Sequence, residues 1–459
     1  MGLTRKQLLS AMGAAAAAPL VAGAGEPRVI RRDVCVIGGG SAGTYAAVRL
    51  GDFGRSVVVV EAQDRLGGHT ETYHDPATGG TIDIGVVVFE DEPFVRSYFD
   101  RLGVGLVRIA DGGGGGGTTT YVDFRTGRRV DYTQPAPVAL PAYLQDISRF
   151  GPIDTILDLP EAALPELAAP FRDYVAAHDF GSVVPFVFNY GQGIGNVLDL
   201  PALYAINTFG QGVAGNILRG SFLTTAARNN SLLYERATEH LAGNVLLGSR
   251  AVKVERTRSG VRVLVTGPGG ARVIEAKKLL VTIPPLTRNL TAVDLDGTER
   301  SLFGRFTPGA YYTSVVRLSG LPAGVGLDNV AADTPYNLPP LPGLYMVGPT
   351  AVPGLYNVKY GSPAPLPDAV VRHEIRAGIE RVAAAGTYPV KFEGFATYAS
   401  HAPFELHVGP RDIAGGFYRR LNALQGRNRT YWSGAAWHSH NSARIWAGLE
   451  TLLPKIAAD

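Results

Sequence analysis

The chain has 459 residues, enough for two average domains, and 46% of them are apolar, so a large packed core is possible and wholesale disorder is excluded. The net charge of +3 is nearly neutral, and no basic stripe with interleaved aromatics supports nucleic-acid binding. One cysteine excludes an internal disulfide framework and a cysteine-rich metal site. Away from the N-terminus no apolar run reaches the ~18 residues of a membrane span, so no integral membrane association is expected.

Residues 1–24 have the layout of an export signal. Arg5 and Lys6 precede an alanine-rich apolar stretch that ends in the small-residue triplet Ala22-Gly23-Ala24. The basic pair resembles a weakened twin-arginine motif, which predicts a bacterial protein that is exported to the periplasm or secreted. A disordered alanine-rich tail is the alternative.

The next segment is predicted to form a βαβ unit. Residues 34–37 and 57–60 are short, wholly apolar runs, which are typical of buried parallel strands. Residues 41–50 lie between them and carry small and apolar side chains at helical spacing, with glycines closing the helix.

Gly38, Gly40 and Gly43 form the pattern G-x-G-x-x-G between the first predicted strand and this helix. The first glycine permits a tight turn, the second lets the backbone approach a pyrophosphate, and the third lets helix and strand pack closely. Ser41 opens the helix, whose N-terminal amide groups favour phosphate charge. Glu61 follows the second strand, where a carboxylate can accept hydrogen bonds from a ribose diol. Together these features predict a dinucleotide site.

The rest of the chain alternates between helical and extended patterns. Glycines 112–117 predict a flexible surface loop. Residues 150–235 are predicted to be helical, and residues 244–283 to form a hairpin and then a buried strand that stops at two prolines. Further helices are predicted at 368–384 and 442–453, the second of them after a strand at 430–432.

Three separated motifs resemble those of the flavin-containing amine oxidase superfamily. Glu61, Arg65, Gly67 and Gly68 match its E-x-x-x-R-x-G-G pattern. The segment "KKLLVTIPP" is similar to the strand-to-proline passage that these proteins place beside the cofactor, and "RNRTYWSGAAWHSHNSARIWAGLETLL" is similar to their last strand, glycine turn and final helix. The resemblance implies FAD as the dinucleotide and an α/β fold with a discontinuous Rossmann-type FAD-binding domain.

Two subgroups are similar over most of residues 32–455: fungal β-cyclopiazonate dehydrogenase-like proteins and bacterial polyenoic fatty acid isomerase. The resemblance implies an FAD-binding domain from residues 29–90, 240–288 and 426–455, and a mixed α+β substrate domain from residues 91–239 and 289–425. Matched residue by residue, the family's cofactor contacts fall on Gly38, Gly40, Ser41, Gly43, Glu61, Arg65, Gly67, Gly68, Val252, Gly434 and Asn441.

Three histidines are candidates for roles near the flavin. His69 directly follows the glycine pair, and it is predicted either to make a polar contact with the cofactor or to bond covalently to the flavin methyl carbon. His438 and His440 flank the flavin end of the last helix and are candidate catalytic proton carriers, with a structural role as the alternative. No third ligand accompanies this His-x-His pair, so no metal is expected.

Two departures from the family's sequence pattern reduce the range of reactions that the resemblance implies. Gly434 is followed by two alanines where many relatives carry an acidic residue that bonds the ribitol. The segment "GAYYTSVVRLSG" lacks the lysine that amine oxidases place near the flavin, so amine oxidation in the strict sense loses support. Aromatic residues at 186–209 and in the C-terminal half are predicted to line an apolar tunnel or to belong to the core.

The combined prediction is an FAD-dependent enzyme that abstracts a hydride from a lipophilic small molecule, as an oxidase, a dehydrogenase or an oxidative cyclase. Dioxygen is one candidate electron acceptor. Redox-neutral isomerisation of a double bond in an unsaturated fatty acid or polyene is the first alternative. A non-catalytic flavoprotein that binds a secreted metabolite is the second.

Overall fold

A computed structural model describes residues 27–109 and 117–458 of the chain. The predicted export signal and the loop glycines 112–116 lie outside the described residues. Within the described ranges, none of the helices has the length and hydrophobicity that a membrane span requires.

The described residues form strands and helices in alternation. The strands are β1 (Arg28–Ile37), β2 (Val57–Val60), β3 (Thr72–His74), β4 (Thr81–Asp83), β5 (Leu106–Arg108), β6 (Thr118–Asp123), β7 (Arg128–Arg129), β8 (Leu223–Thr225), β9 (Val245–Leu246), β10 (Arg250–Arg256), β11 (Val261–Thr266), β12 (Arg272–Val281), β13 (Thr307–Pro308), β14 (Ala310–Ser319), β15 (Val325–Asn329), β16 (Gly343–Pro349), β17 (Leu355–Ser362), β18 (Lys391–Ser400), β19 (Leu406–His407) and β20 (Thr430–Trp432). The helices are α1 (Ser41–Asp52), α2 (Pro93–Arg101), α3 (Leu140–Ile147), α4 (Leu164–Ala168), α5 (Phe171–His178), α6 (Val184–Tyr190), α7 (Ala202–Thr208), α8 (Gln211–Arg219), α9 (Leu232–His240), α10 (Gly297–Phe303), α11 (Asp368–Ala384), α12 (Pro410–Ala414), α13 (Phe417–Asn422) and α14 (Ser442–Ala457).

The first sheet has seven strands and contains the predicted βαβ unit. Its order is β10-β11-β12-β1-β2-β9, and β20 also pairs with β12. The central strands β12, β1, β2 and β9 are parallel, and α1 connects β1 to β2. β1 begins at Arg28, earlier than predicted, because its first half pairs with β12 alone and only its second half also pairs with β2.

Both faces of the parallel strands are buried, which explains why their sequences are almost wholly apolar. Val34 and Val36 of β1 point into a core that they share with α1 and α14, where Trp446 stacks on Tyr45 at a centroid distance of 5.1 Å. Cys35 points to the other face and joins a second core that extends into helices α3 to α8.

The second sheet also has seven strands, in the order β18-β14-β17-β16-β15-β6-β7. Its pairs are antiparallel except for β15 with β6. One face packs on α11, whose apolar side includes Val371, Ile375 and Ile379. The opposite face lines a large cavity, and it is this face that brings substrate-side residues toward the first sheet.

The first sheet draws its strands from residues 28–60, 245–281 and 430–432, and the second from residues 118–129 and 310–400. The sheets therefore divide the chain along lines close to the predicted cofactor and substrate segments. The domain boundaries themselves stay a prediction.

Candidate active site

A cavity of about 1450 Å³ connects the glycine turn of the first sheet with the inner face of the second sheet. Pockets for a single small ligand usually measure about 300–1,000 Å³, so this volume suits a dinucleotide together with a second small molecule. The predicted site residues that line the cavity are Gly38, Gly40, Ser41, Glu61, Gly67, Gly68, His69, Gly434, His440 and Asn441. Gly43, Arg65, Val252 and His438 do not line it.

The first glycine turn is shaped to leave its backbone open to the cavity. Gly38 has a φ of +105°, which favours glycine, and a Cβ atom on Gly43 would overlap the carbonyl oxygen of Gly38. Gly43 therefore allows α1 to approach β1 and does not face the cavity. No side chain caps the N-terminus of α1 at Gly40, so its first amide groups are available to an anionic group. The Thr282 hydroxyl donates a hydrogen bond of 2.9 Å to the Gly38 carbonyl and holds the turn.

The second glycine turn is braced from behind by Arg65. The guanidinium donates hydrogen bonds to the carbonyl oxygens of Thr70 (2.9 Å) and Gly68 (3.1 Å), and it pairs with the Glu71 carboxylate at 3.2 Å. These partners hold the Arg65 guanidinium away from the cavity. We therefore assign it no direct contact with the adenosine end of the cofactor. The Gly67 amide donates to the Gly39 carbonyl at 2.8 Å, which ties the two turns together.

Glu61 reaches the cavity with its carboxylate already oriented. One carboxylate oxygen accepts a hydrogen bond from the Gly39 amide at 2.6 Å, and the other accepts one from the Gln63 amide at 2.7 Å. A carboxylate has about four acceptor positions, so two remain for hydroxyl groups of a ligand.

Three histidine rings and two other aromatic rings meet deeper in the cavity. The His69 ring centroid lies 4.7 Å from that of His401 and 5.8 Å from that of His440. Phe404 lies 3.7 Å from His440, and Tyr311 lies 5.1 Å from Phe404, again between ring centroids. All five residues line the cavity. We call this group the histidine cluster.

The imidazoles of the histidine cluster are held in the neutral form. Burial lowers the pKa of His69 to about 4, with a smaller effect from the charge of Arg65. Burial also lowers the pKa of His440 to about 3 and that of His401 well below its usual range. The His401 Nε2 atom lies 3.1 Å from the Thr313 hydroxyl. In the described ranges, no group of three or more potential ligands is arranged to hold a metal ion.

His438 lies behind the cavity wall, unlike its neighbour His440. Its Nδ1 atom donates a hydrogen bond of 2.6 Å to the Thr155 carbonyl, and its Nε2 atom lies 3.2 Å from the Ser433 hydroxyl. The ring packs so closely on α14 that a Cβ atom on Gly448 would overlap it. Because both ring nitrogens are engaged, the geometry favours the structural alternative for His438.

Asn441 lines the cavity, and both polar atoms of its side chain bond to the protein. The amide oxygen accepts from the Ala443 amide at 2.8 Å and so caps α14, while the amide nitrogen donates to the Glu90 carboxylate at 2.9 Å. Glu90 is completely buried and forms an ion pair with Arg444. The second hydrogen of the amide nitrogen and the backbone of Asn441 remain to face a ligand.

Val252 lies at the edge of the first sheet, on β10, and it is 46% exposed. The pairing of β10 with β11 shifts register between Ala251 and Lys253, which leaves Val252 without a paired residue. A contact with adenine from this position is not supported by the shape of the cavity.

The chain matches the sequence profile of the family described as "Flavin containing amine oxidoreductase" over residues 41–309. It is 35% identical to the FAD-dependent oxidoreductase oblC of Cochliobolus heterostrophus, and the alignment covers 94% of this chain and 92% of that protein. It is 33% identical to the β-cyclopiazonate dehydrogenase of Aspergillus oryzae, with 94% of each chain covered. The solved structure of the CLA-producing fatty acid isomerase from P. acnes matches with a TM-score of 0.74 over 92% of this chain and 98% of that chain. The identity to this isomerase is 17%, so the similarity shows the fold alone.

These comparisons correct one prediction and confirm others. Relatives at 32–36% identity come from fungi, so the prediction of a bacterial protein exported through a twin-arginine-like signal is wrong. The resemblance to the amine oxidase superfamily, the Rossmann-type α/β fold and FAD as the cofactor are confirmed. The alternative of a flavoprotein without turnover loses its support, because the relatives are oxidoreductases. The chain therefore belongs to the flavin-containing amine oxidoreductase family, and it is an FAD-dependent oxidoreductase.

Proposed function

We propose that the protein oxidises a lipophilic small molecule by removing a hydride from an activated carbon, as an oxidase, a dehydrogenase or an oxidative cyclase. The observation that carries the proposal is the continuity of the cavity, which runs from the two glycine turns to the histidine cluster. A relative named β-cyclopiazonate dehydrogenase is in keeping with dehydrogenation of a small organic molecule.

The residues at the two glycine turns fit FAD. The uncapped N-terminus of α1 suits the pyrophosphate, and the carboxylate of Glu61 suits a ribose diol. Gly40 and Gly68 bear no side chains that would fill the space beside the two turns, and Gly434, with a φ of +115°, presents its backbone to the cavity where other family members have an acidic side chain nearby. When bound, FAD supplies the acceptor for the hydride and its electron pair.

The histidine cluster supplies the acceptor for the proton that remains after hydride removal. Burial keeps these rings neutral, which leaves a ring nitrogen able to accept a proton, but the same lowering of the pKa makes each ring a weak base. The Thr313 hydroxyl orients His401, and the Phe404 ring, tilted by 32° from the imidazole plane, packs against His440. We assign the proton transfer to His401 or His440 and the flavin-side polar contact to His69.

The walls of the cavity favour a lipophilic substrate. Several of the aromatic residues noted in the sequence line it, namely Phe186, Phe188, Tyr190 and Tyr311, and Tyr345 lines it as well. Others, such as Tyr204 and Phe209, are fully buried in the core. The predicted tunnel and the predicted core are therefore both present, and they are formed by different members of the same aromatic set.

Anaerobic mixing of the FAD-loaded protein with a panel of lipophilic substrates tests this proposal. Bleaching of the oxidised flavin spectrum supports oxidation. A shift without bleaching, together with a rearranged double bond in the product, supports isomerisation instead, because an isomerase returns its hydride to the product. Air is then admitted to test dioxygen as the electron acceptor. Recovery of the oxidised flavin spectrum shows that dioxygen has reoxidised the flavin. Absence of both bleaching and product across the panel counts against the proposal.

A further inference from the structure

The cavity face of the second sheet carries a row of paired residues on neighbouring strands. Asp328 on β15 pairs with Met346 on β16, Met346 pairs with Lys359 on β17, and Lys359 pairs with Thr313 on β14. Paired residues point to the same side of a sheet. Asp328, Met346 and Lys359 line the cavity, and Thr313 bonds to His401 of the histidine cluster. The row therefore runs from the histidine cluster toward the opposite side of the cavity.

Lys359 differs from the other cations that line the cavity. In the described part of the chain these are Arg108 and Arg228, and both are exposed at the surface. Arg108 is also paired with the Asp91 carboxylate at 3.1 Å. Lys359 is only partly exposed, and it lies on the interior face of the sheet.

The charge of Lys359 has no carboxylate in direct contact. Asp328 is the carboxylate whose charge acts on it, but Met346 stands between them in the row, so their backbones are two strand spacings apart, about 9–10 Å. No carboxylate of the described residues lies within the 4.0 Å of an ion pair with the ammonium group. Burial lowers the pKa of Lys359, because a charge without a close partner is poorly stabilised in an apolar cavity.

We propose that the ammonium group of Lys359 binds an anionic oxygen of the substrate, a carboxylate or the conjugate base of an acidic enol. This inference rests on the proposed function and deepens it, since it adds a charge requirement to a lipophilic substrate. Lys359 and Thr313 are one strand spacing apart, about 5 Å, so an anion held at Lys359 leaves the neighbouring carbon atoms of the substrate close to His401.

The chemistry of the surroundings strengthens this contact. Tyr311 and Tyr345 line the cavity together with Met346 of the row, so apolar and aromatic groups surround the ammonium group. An ion pair in such surroundings is much stronger than one in water. Lysine is a compact charge with three donors, which suits a single oxygen anion without a fixed planar geometry.

Equilibrium titration of the FAD-loaded protein tests the proposal without requiring turnover, because ligands near the flavin shift its spectrum. The probes are dodecanoate, with methyl dodecanoate as its uncharged partner, and a 2-acylcyclohexane-1,3-dione, with its O-methyl enol ether. We expect the wild-type protein to bind each anion more tightly than its uncharged partner. Lys359→Met should weaken binding of at least one anion about tenfold or more and change binding of its uncharged partner less than about twofold.

Two further variants separate a binding role from a structural one. Asp328→Asn removes the one opposing carboxylate of the row and should tighten anion binding, and Lys359→Arg should keep the preference for the anion. Arg228→Met, which removes an exposed cation at the edge of the cavity, is the matched control and should change the dissociation constants less than about twofold. FAD content and thermal stability of Lys359→Met should match those of the wild type.

Equal affinity of the wild-type protein for an anion and its uncharged partner in both pairs overturns the proposal. So does unchanged anion binding by Lys359→Met, or failure of both anions to shift the spectrum at 1 mM, roughly the limit of weak specific binding. The proposed oxidation fails by a different result, the absence of bleaching with every substrate, so the two failures are distinguishable.

Discussion

A Cβ atom on Gly68 would lie 3.0 Å from the Cα atom of Gly40, so the two glycine turns meet backbone against backbone at the cofactor end of the cavity. Gly40 belongs to the dinucleotide motif after β1, and Gly68 belongs to the second motif after β2. The sequence shows two separate glycine motifs. The structure shows that they form one surface, on which a side chain at Gly68 would press on Gly40, whereas a Cβ atom on Gly40 would lie 3.8 Å from Gly68, an ordinary contact distance.

Gly68→Ala should therefore strongly reduce FAD binding. The added methyl group presses on Gly40 and displaces the turn that faces the pyrophosphate, and the φ of +56° adds backbone strain of about 1–2 kcal/mol. Gly79→Ala is the matched control, because Gly79 has a φ of +73° with open space around its Cβ position. Flavin fluorescence after gel filtration measures the retained FAD. Equal retention by both variants would show that contact between the turns is unimportant.

Thr313→Val should slow reduction of the flavin by the substrate while leaving FAD binding intact. The Thr313 hydroxyl is bonded to His401, and both are buried, so its loss leaves one imidazole nitrogen without its partner and the ring held from one side only. Thr313→Ser keeps a hydroxyl at this position and should retain most of the rate. Stopped-flow measurement of the rate of flavin bleaching separates this effect from an effect on substrate binding. If Thr313→Val and Thr313→Ser reduce the flavin at the same rate, His401 takes no part in the mechanism.

Glu405→Gln should make the protein more stable at high pH than the wild type. Burial raises the pKa of Glu405 to about 8, and one of its carboxylate oxygens has no hydrogen-bond partner among the described residues. Between its ordinary pKa of 4.5 and about 8, the folded state holds a proton that the unfolded state has released, so this group lowers stability as pH rises, by about 1.4 kcal/mol per pH unit. Glutamine cannot ionise and lacks this dependence.

Urea unfolding of both proteins at pH 5, 6, 7 and 8 measures the effect. The unfolding free energy of Glu405→Gln minus that of the wild type should increase as the pH rises. A difference that stays constant across this range would mean that Glu405 has an ordinary pKa in the folded protein.

The sequence predicted the cofactor half of the molecule well because that half depends on local pattern. Parallel strands that are buried on both faces are continuously apolar, as in β2, and a glycine motif between strand and helix has few other uses. The strand at Thr430–Trp432 and the helix at Asp368–Ala384 were predicted with the bounds that the structure gives. The secondary structure of these segments follows from residues that are close together in the sequence.

The substrate half could not be predicted in the same way, because its site is assembled by pairing between distant strands. His401 follows β18, Thr313 lies in β14 and Lys359 lies in β17, and no spacing in the sequence links them. The sequence held one clue, which was an absence: the segment that forms β14 lacks the lysine that amine oxidases place near the flavin. The structure places a lysine on the neighbouring strand, opposite Thr313.

Acid precipitation of the FAD-loaded protein should release the flavin into the supernatant. The partly buried His69 packs against the rings of His401, Phe404 and His440, surroundings that suit a neutral ring in a packing and polar role. His69→Ala should still lower FAD retention, because it removes this packing beside the glycine pair. A yellow pellet from the wild type that is lost in His69→Ala would establish the covalent link instead.

Arg444→Leu should destabilise the protein by about 3–5 kcal/mol, because it leaves the Glu90 carboxylate buried without its ion-pair partner. Burial raises the pKa of Glu90 to about 7 even with Arg444 present, so this destabilisation should develop above pH 7, where the Glu90 carboxyl of the wild-type protein is ionised. Glu90 also accepts the Asn441 amide that caps α14, so the loss should disturb the cavity wall and lower FAD content.

The matched control for this change is Arg376→Leu. Arg376 pairs with Glu380 on the surface of α11 with both side chains more than half exposed, and such pairs contribute about 0–1 kcal/mol.

The double variant Glu90→Leu with Arg444→Leu should recover part of the stability, because two apolar side chains leave no buried charge. Urea unfolding of the FAD-loaded proteins measures all three. Equal effects of Arg444→Leu and Arg376→Leu would mean that the buried pair contributes no more to stability than an exposed one.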